Sequence, residues 1–205
     1  IKADEYDAFK RRYGGHKDFN IKRPDMNAYS AIVKENFQTL TLIESLKDTR
    51  AYVGFTRVEG IENKAPRVEL NEIVRKTYGA SNAVIADEIR GEGIFLEFSF
   101  DKLKKWRETL PIKSRMEIFP NEVRNDLHDQ YEHPTEYILA HTFAHLLINE
   151  FCLYSGYNNT AIRERIYSNE FGKDAMCGIL IYTAYGDSEG SMGGLVRLGK
   201  AGVLE

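Results

Sequence analysis

His141 and His145 are the side chains whose type and spacing point most directly to chemistry. On a helix, residues four apart share a face about 6 Å from one another, close enough for two imidazoles to hold one metal ion or pass one proton. Asn149 and Cys152 continue the row, since at about 100° per residue all four fall within about 80° of arc. The zinc-protease signature needs a glutamate directly after the first histidine as general base, and Thr142 stands there instead. Asn149 is a poor zinc ligand, and Cys152, a good one, is about three turns from His141. The expectation is therefore structural: His141, His145 and Asn149 form a polar stripe that fastens a helix to its neighbours. No catalytic residue and no metal ligand is assigned. The alternative is a metal-dependent hydrolase using His141 and His145 with Asp187 or Glu189.

A second constellation is the glycine-rich run at 185–194, YGDSEGSMGG. A strand that runs into such a loop can aim backbone N–H groups at a phosphate. No GK[ST] follows, so it is not a Walker A loop, and the G-x-G-x-x-G spacing is missing too. Ser188, Gly190, Ser191, Gly193 and Gly194 remain candidates for DNA or partner contact, with Arg163 and Arg165 on the nearby segment AIRERIYS. The bland reading gives the glycines to tight packing and the charges to a solvated face. No serine nucleophile elbow and no supported Cys–His pair appears. Near the start, Lys10, Arg11, Arg12, Lys17, Lys22 and Arg23 interleave with Tyr13 and Phe19, a pattern that can track phosphates or simply be a charged face.

These groups need elements to position them. Residues 135–154 carry the longest apolar run in the chain, bounded by Pro134 and Gly156, and read as a helix surrounded by core. Residues 37–43, 53–58 and 176–184 have strand composition. Residues 83–87 and 94–98 read as strands joined by a turn through IRGEG. Helices are expected over 3–13, 44–51, 101–110 (capped by Asp101 and ended by Pro111), 116–131 and the segment AIRERIYS. Residues 16–25 and 61–70 read as loops. The order of elements predicts an α+β fold, a mixed sheet packed around a central buried helix at about 135–154. Residues 1–36 are expected to form an N-terminal helix and linker, and 37–205 the main domain.

The chain has 205 residues, 28 basic and 31 acidic, for a net charge of −3. No global positive field draws in nucleic acid, so DNA contact would come from local patches. The two cysteines, Cys152 and Cys177, make neither a disulfide framework nor a zinc ribbon, and reduced thiols in the cytoplasm are expected. The 135–154 segment is long enough to span a membrane, but His141, His145, Asn149 and Glu150 would be costly in lipid, so no membrane is implied.

The segments AHTFAHLLINEFCLYSGYNNTAIRERIYS and GILIYTAYGDSEGSMGGLVRLG, with RAYVGFTRVEG and IRGEGIFLEF before them, resemble the DrmB-like proteins of the DISARM anti-phage system. That family's C-terminal domain is similar to the zinc-containing C-terminal domain of MrfA-type DNA repair helicases. The resemblance implies an accessory module that docks on a helicase-like partner, contacts DNA and serves phage defence; it carries over no catalytic activity. A purely structural assembly module stays open beside it. Members of the family continue past the LVRLG segment into a cysteine cluster expected to bind zinc. The expectation is thus no cofactor within this chain, zinc only in flanking sequence, and a chain that is a fragment of a longer protein.

Overall fold

The structure is a computed structural model, and it describes residues 2–11, 15–52, 85–131, 134–158, 160–168, 175–183 and 194–205. In chain order the elements are α1 (Lys2–Lys10), β1 (Phe19–Lys22), α2 (Ala31–Asn36), β2 (Phe37–Tyr52), β3 (Ile85–Phe98), α3 (Phe100–Arg107), α4 (Leu110–Met116), α5 (Asn121–Gln130), α6 (Pro134–Ser155), β4 (Ile162–Ser168), β5 (Cys177–Thr183) and α7 (Gly194–Leu198). The fold is α+β, as expected. Among the described residues the sheet has five strands in the order β1-β2-β3-β5-β4. Every pairing is antiparallel, so the expected mixed sheet is corrected to an antiparallel one.

Strand alternation sorts the side chains onto two faces. Leu40, Leu42, Ile94, Leu96, Phe98, Cys177, Ile179, Ile181 and Ile162 point to one side, where they pack with Ala140, Ala144, Ile148 and Phe151 of α6 and Leu195 and Leu198 of α7. Ile43, Phe95, Leu180, Tyr182 and Tyr167 point to the other, where they meet Tyr6 and Phe9 of α1. The long helix therefore lies on one face of the sheet; it is not wrapped by it. Ala140 and Ala144 are fully buried, and their short side chains let the helix approach the strands closely. Leu146, Leu153 and Tyr154 face outward and are exposed. Pro134 opens the helix and Gly156, at φ +72°, closes it as the sequence suggests.

Several local expectations fail for physical reasons. Residues 44–51 continue β2, because Lys47, Asp48, Thr49 and Arg50 each find a partner in β3 from Arg90 to Asp87. Cross-strand pairing overrides a segment with helical composition. The expected turn through IRGEG is straight strand: β3 runs unbroken through Gly91 and Gly93. Glycine is needed at Gly91 because a Cβ there would stand 1.8 Å from the Thr183 carbonyl oxygen. The expected loop at 16–25 contains β1. Ser99, not Asp101, occupies the N-cap of α3, and Pro111 falls in the first turn of α4, where its missing N–H costs nothing. AIRERIYS is not a helix: its alternation of Ile162, Glu164 and Ile166 with Arg163 and Arg165 is a strand period, and it pairs with β5 from Ile162↔Thr183 to Ser168↔Cys177. The expected strand at 53–58 and loop at 61–70 lie outside the described residues.

Candidate functional site

Helix α6 presents His141 and His145 on the flank that overlies β4. Because β4 is a strand, Glu164 projects to the α6 face together with Ile162 and Ile166, while Arg163 and Arg165 project to the α1 face. The three side chains converge. His141 Nε2 is 2.9 Å from Glu164 Oε1, His145 Nε2 is 3.3 Å from the same oxygen, and the two Nε2 atoms are 3.0 Å apart. His141 and His145 are 43% and 61% exposed, and the Glu164 side chain 20%. The second carboxylate oxygen, Oε2, is buried and has no hydrogen-bond partner among the described residues. Tyr137, stacked on Tyr131 at 4.2 Å, lies against the His141 ring at 5.7 Å and closes the N-terminal side.

Beside the triangle is a shallow cleft of about 450 Å³ lined by His145, Ile148, Asn149, Ile162, Arg163, Glu164 and Tyr182. Asn149 is exposed one turn beyond His145. Cys152 is half-buried, and burial pushes its thiol up, away from the thiolate that a metal would take. Cys177 is buried in β5, and burial pushes it up much further.

The two arginines diverge in their partners. Arg165 Nε is 2.9 Å from Glu5 Oε2 on α1, whereas Arg163 is exposed at the edge strand. Of the glycine-rich loop, Ser188, Gly190, Ser191 and Gly193, with Asp187 and Glu189, lie outside the described residues. Gly194 opens α7 against Tyr157, whose hydroxyl oxygen would stand 2.6 Å from an added Cβ. The described residues on either side of that run both contact Glu92: Leu195 N donates to its carboxylate Oε1 at 2.7 Å, and the Thr183 hydroxyl bonds its backbone N–H and carbonyl. Glu92 has no counterpart among the candidate residues read from the sequence. Neither has Glu164 as a partner of the histidines. Near the start of the chain, Phe19 packs inward against Phe9 with ring centroids 5.8 Å apart, and Lys10 pairs with Glu97 at 2.8 Å.

Comparison with known proteins bears on the same segment. A family profile described as the MrfA Zn-binding domain matches residues 143–203, which include His145 and Glu164. The chain is also 36% identical over 219 aligned positions to a protein of Bacillus paralicheniformis named DISARM protein DrmB; the alignment covers 97% of this chain and 36% of that protein. The chain is thus DrmB-like in sequence along nearly all its length, and it spans about a third of the length of the curated relative it matches. The profile's name raises the question of zinc. Neither cysteine lies in the cluster of possible ligands found among the described residues. The donor set that fits zinc among the described residues is His141, His145 and Glu164, whose ligand atoms all lie within 4.8 Å of one another.

Proposed function

We propose that this DrmB-like chain is a non-catalytic module of an anti-phage defence protein, working in the cytoplasm, that docks on a helicase-like partner and supplies part of a DNA-contacting surface. The observation that carries the reading is the 36% identity, sustained over 97% of the chain, to a DISARM protein. The surface chemistry is compatible with it. Arg163 is exposed on β4, the last strand in the sheet order, and a guanidinium there is free to reach a phosphate oxygen. Leu146, Leu153 and Tyr154 form an exposed apolar strip on the outer side of α6, suited to burial against another protein surface. In this reading Ser188, Gly190, Ser191, Gly193 and Gly194 remain candidates for contact with DNA or the partner.

Two measurements test this. Fluorescence anisotropy of labelled single- and double-stranded DNA against the purified protein, repeated across salt concentrations, should show affinity falling as salt rises. Arg163→Ala should shallow that slope by about one unit per lost phosphate contact. Leu153→Asp should weaken co-purification with the helicase-like partner and leave DNA affinity alone. Binding that ignores salt and Arg163 would remove DNA from the reading; partner binding alone would leave the purely structural assembly module.

A further inference from the structure

We propose that His141, His145 and Glu164 bind one divalent cation of the zinc class, which clasps the long helix α6 to the edge strand β4. The site needs neither the helicase partner nor DNA, so it goes beyond the reading above. The first argument is size. Ligands held about 2.0–2.2 Å from zinc at tetrahedral or octahedral angles stand roughly 3–3.5 Å from each other. The triangle here has sides of 2.9, 3.0 and 3.3 Å. Two of its corners come from one helix and the third from β4, the strand that follows it, so the convergence depends on how α6 packs back on β4.

The second argument is proton accounting. An imidazole nitrogen either bears a proton or offers a lone pair, and its proton points in one direction. If both Nε2 atoms are protonated, two donors face each other at 3.0 Å. If one is, the other turns a lone pair toward the Glu164 carboxylate. If neither is, three acceptors meet. Against a carboxylate, no assignment of the imidazole protons makes all three close contacts favourable. A cation above the triangle resolves the conflict, because all three atoms then act as lone-pair donors to it.

The third argument is the unmet half of Glu164. Its Oε2 is buried without a partner among the described residues, which is unusual for a carboxylate oxygen in a folded protein. A bound ion compensates the carboxylate charge and can draw Oε2 in as a further ligand. The donor types name the ion. Two imidazoles with one carboxylate suit zinc and its neighbours in the first transition row, while calcium and magnesium prefer all-oxygen shells. The exposed side of His145 leaves space for a water as fourth ligand, next to Asn149 in the cleft. Thiolates take no part: Cys152 and Cys177 are absent from the cluster.

The test uses the purified protein stripped with EDTA and dialysed, then titrated with zinc chloride in a calorimeter, with thermal melts in parallel. One zinc per chain should bind, and the melting temperature should rise with added zinc but not with added magnesium. His145→Ala, at an exposed position that leaves the fold intact, should weaken zinc binding by more than about tenfold, since even outer-shell changes at metal sites cost 10–100-fold. Glu164→Gln should do the same, and Cys152→Ser should not. Cobalt in place of zinc should give visible d–d absorption that His145→Ala abolishes. The absence of zinc uptake, or unchanged uptake in both His145→Ala and Glu164→Gln, would overturn the proposal, as would loss of binding in Cys152→Ser.

Discussion

Glu97 and Glu164 occupy opposite faces of one sheet, each joins a strand to a helix, and their surroundings differ in one respect that matters. Glu97 is fully buried, and both its oxygens are engaged: Tyr6 donates its hydroxyl to Oε1 at 2.7 Å, Lys10 Nζ lies 2.8 Å from the same atom, and Thr39 donates to Oε2 at 2.5 Å. The Tyr6 oxygen in turn accepts from the Cys177 amide at 3.3 Å. That network is closed, and it fastens α1 to the sheet. Glu164 gathers two imidazoles on one oxygen and leaves the other without a partner. A buried carboxylate that is satisfied holds a fold together; one that is half satisfied, beside two ring nitrogens, is poised to take something more.

The sharpest way to break the contrast is to delete the closed network. Glu97→Ala should destabilise the protein by on the order of 3 kcal/mol, because it strands buried hydroxyl partners and a half-buried lysine. Urea unfolding followed by circular dichroism measures it. On the open side the largest effect should appear only with metal. Zinc at a hundredfold excess over its dissociation constant should stabilise the wild-type chain by about 2.7 kcal/mol and His145→Ala far less, read as a shift in the melting curve.

Tyr6→Phe removes two bonds from the closed network, the donation to Glu97 and the acceptance from the Cys177 amide, and should cost about 2 kcal/mol. It should also change the alkaline limb of stability. The Tyr6 and Tyr167 hydroxyls are both pushed far above the ordinary tyrosine range, chiefly by burial, with Glu97 adding to the effect at Tyr6 and Glu5 at Tyr167. Raised folded-state values mean that the folded protein holds these protons when the unfolded chain has begun to release them. The associated stability is complete below about pH 10 and declines as pH rises beyond it. Unfolding free energies measured from pH 8 to 11 should fall, and fall less steeply in Tyr6→Phe. The smallest effect is His145→Ala in metal-free protein, expected within about 0.5 kcal/mol of wild type, as for other exposed polar contacts.

What was legible in the sequence was local. The proline and glycine that bound α6, and the buried character of β5, follow from short-range rules that the tertiary fold left alone. What was not legible depended on pairing across the fold. The second half of β2 is polar and became strand because β3 lies beside it, with Lys47 2.8 Å from Glu88 as one rung. IRGEG looked like a turn because its glycines suggest one, yet Gly91 and Gly93 serve a close approach of the β5 backbone. The His141–His145 pair was visible from helical spacing alone. Its third member was hidden by reading AIRERIYS as a helix. The alternation of Ile162, Glu164 and Ile166 was the signal that could have placed Glu164 on an inward face. Even then, which element that face would meet is set by the packing of α6 on β4.

A diffraction measurement would settle the open triangle most directly. Crystals grown with zinc and measured on both sides of the zinc absorption edge should show one anomalous peak about 2.0–2.2 Å from His141 Nε2, His145 Nε2 and a Glu164 carboxylate oxygen. A peak elsewhere in the chain with this triangle empty, or no peak in zinc-grown crystals, would contradict the account.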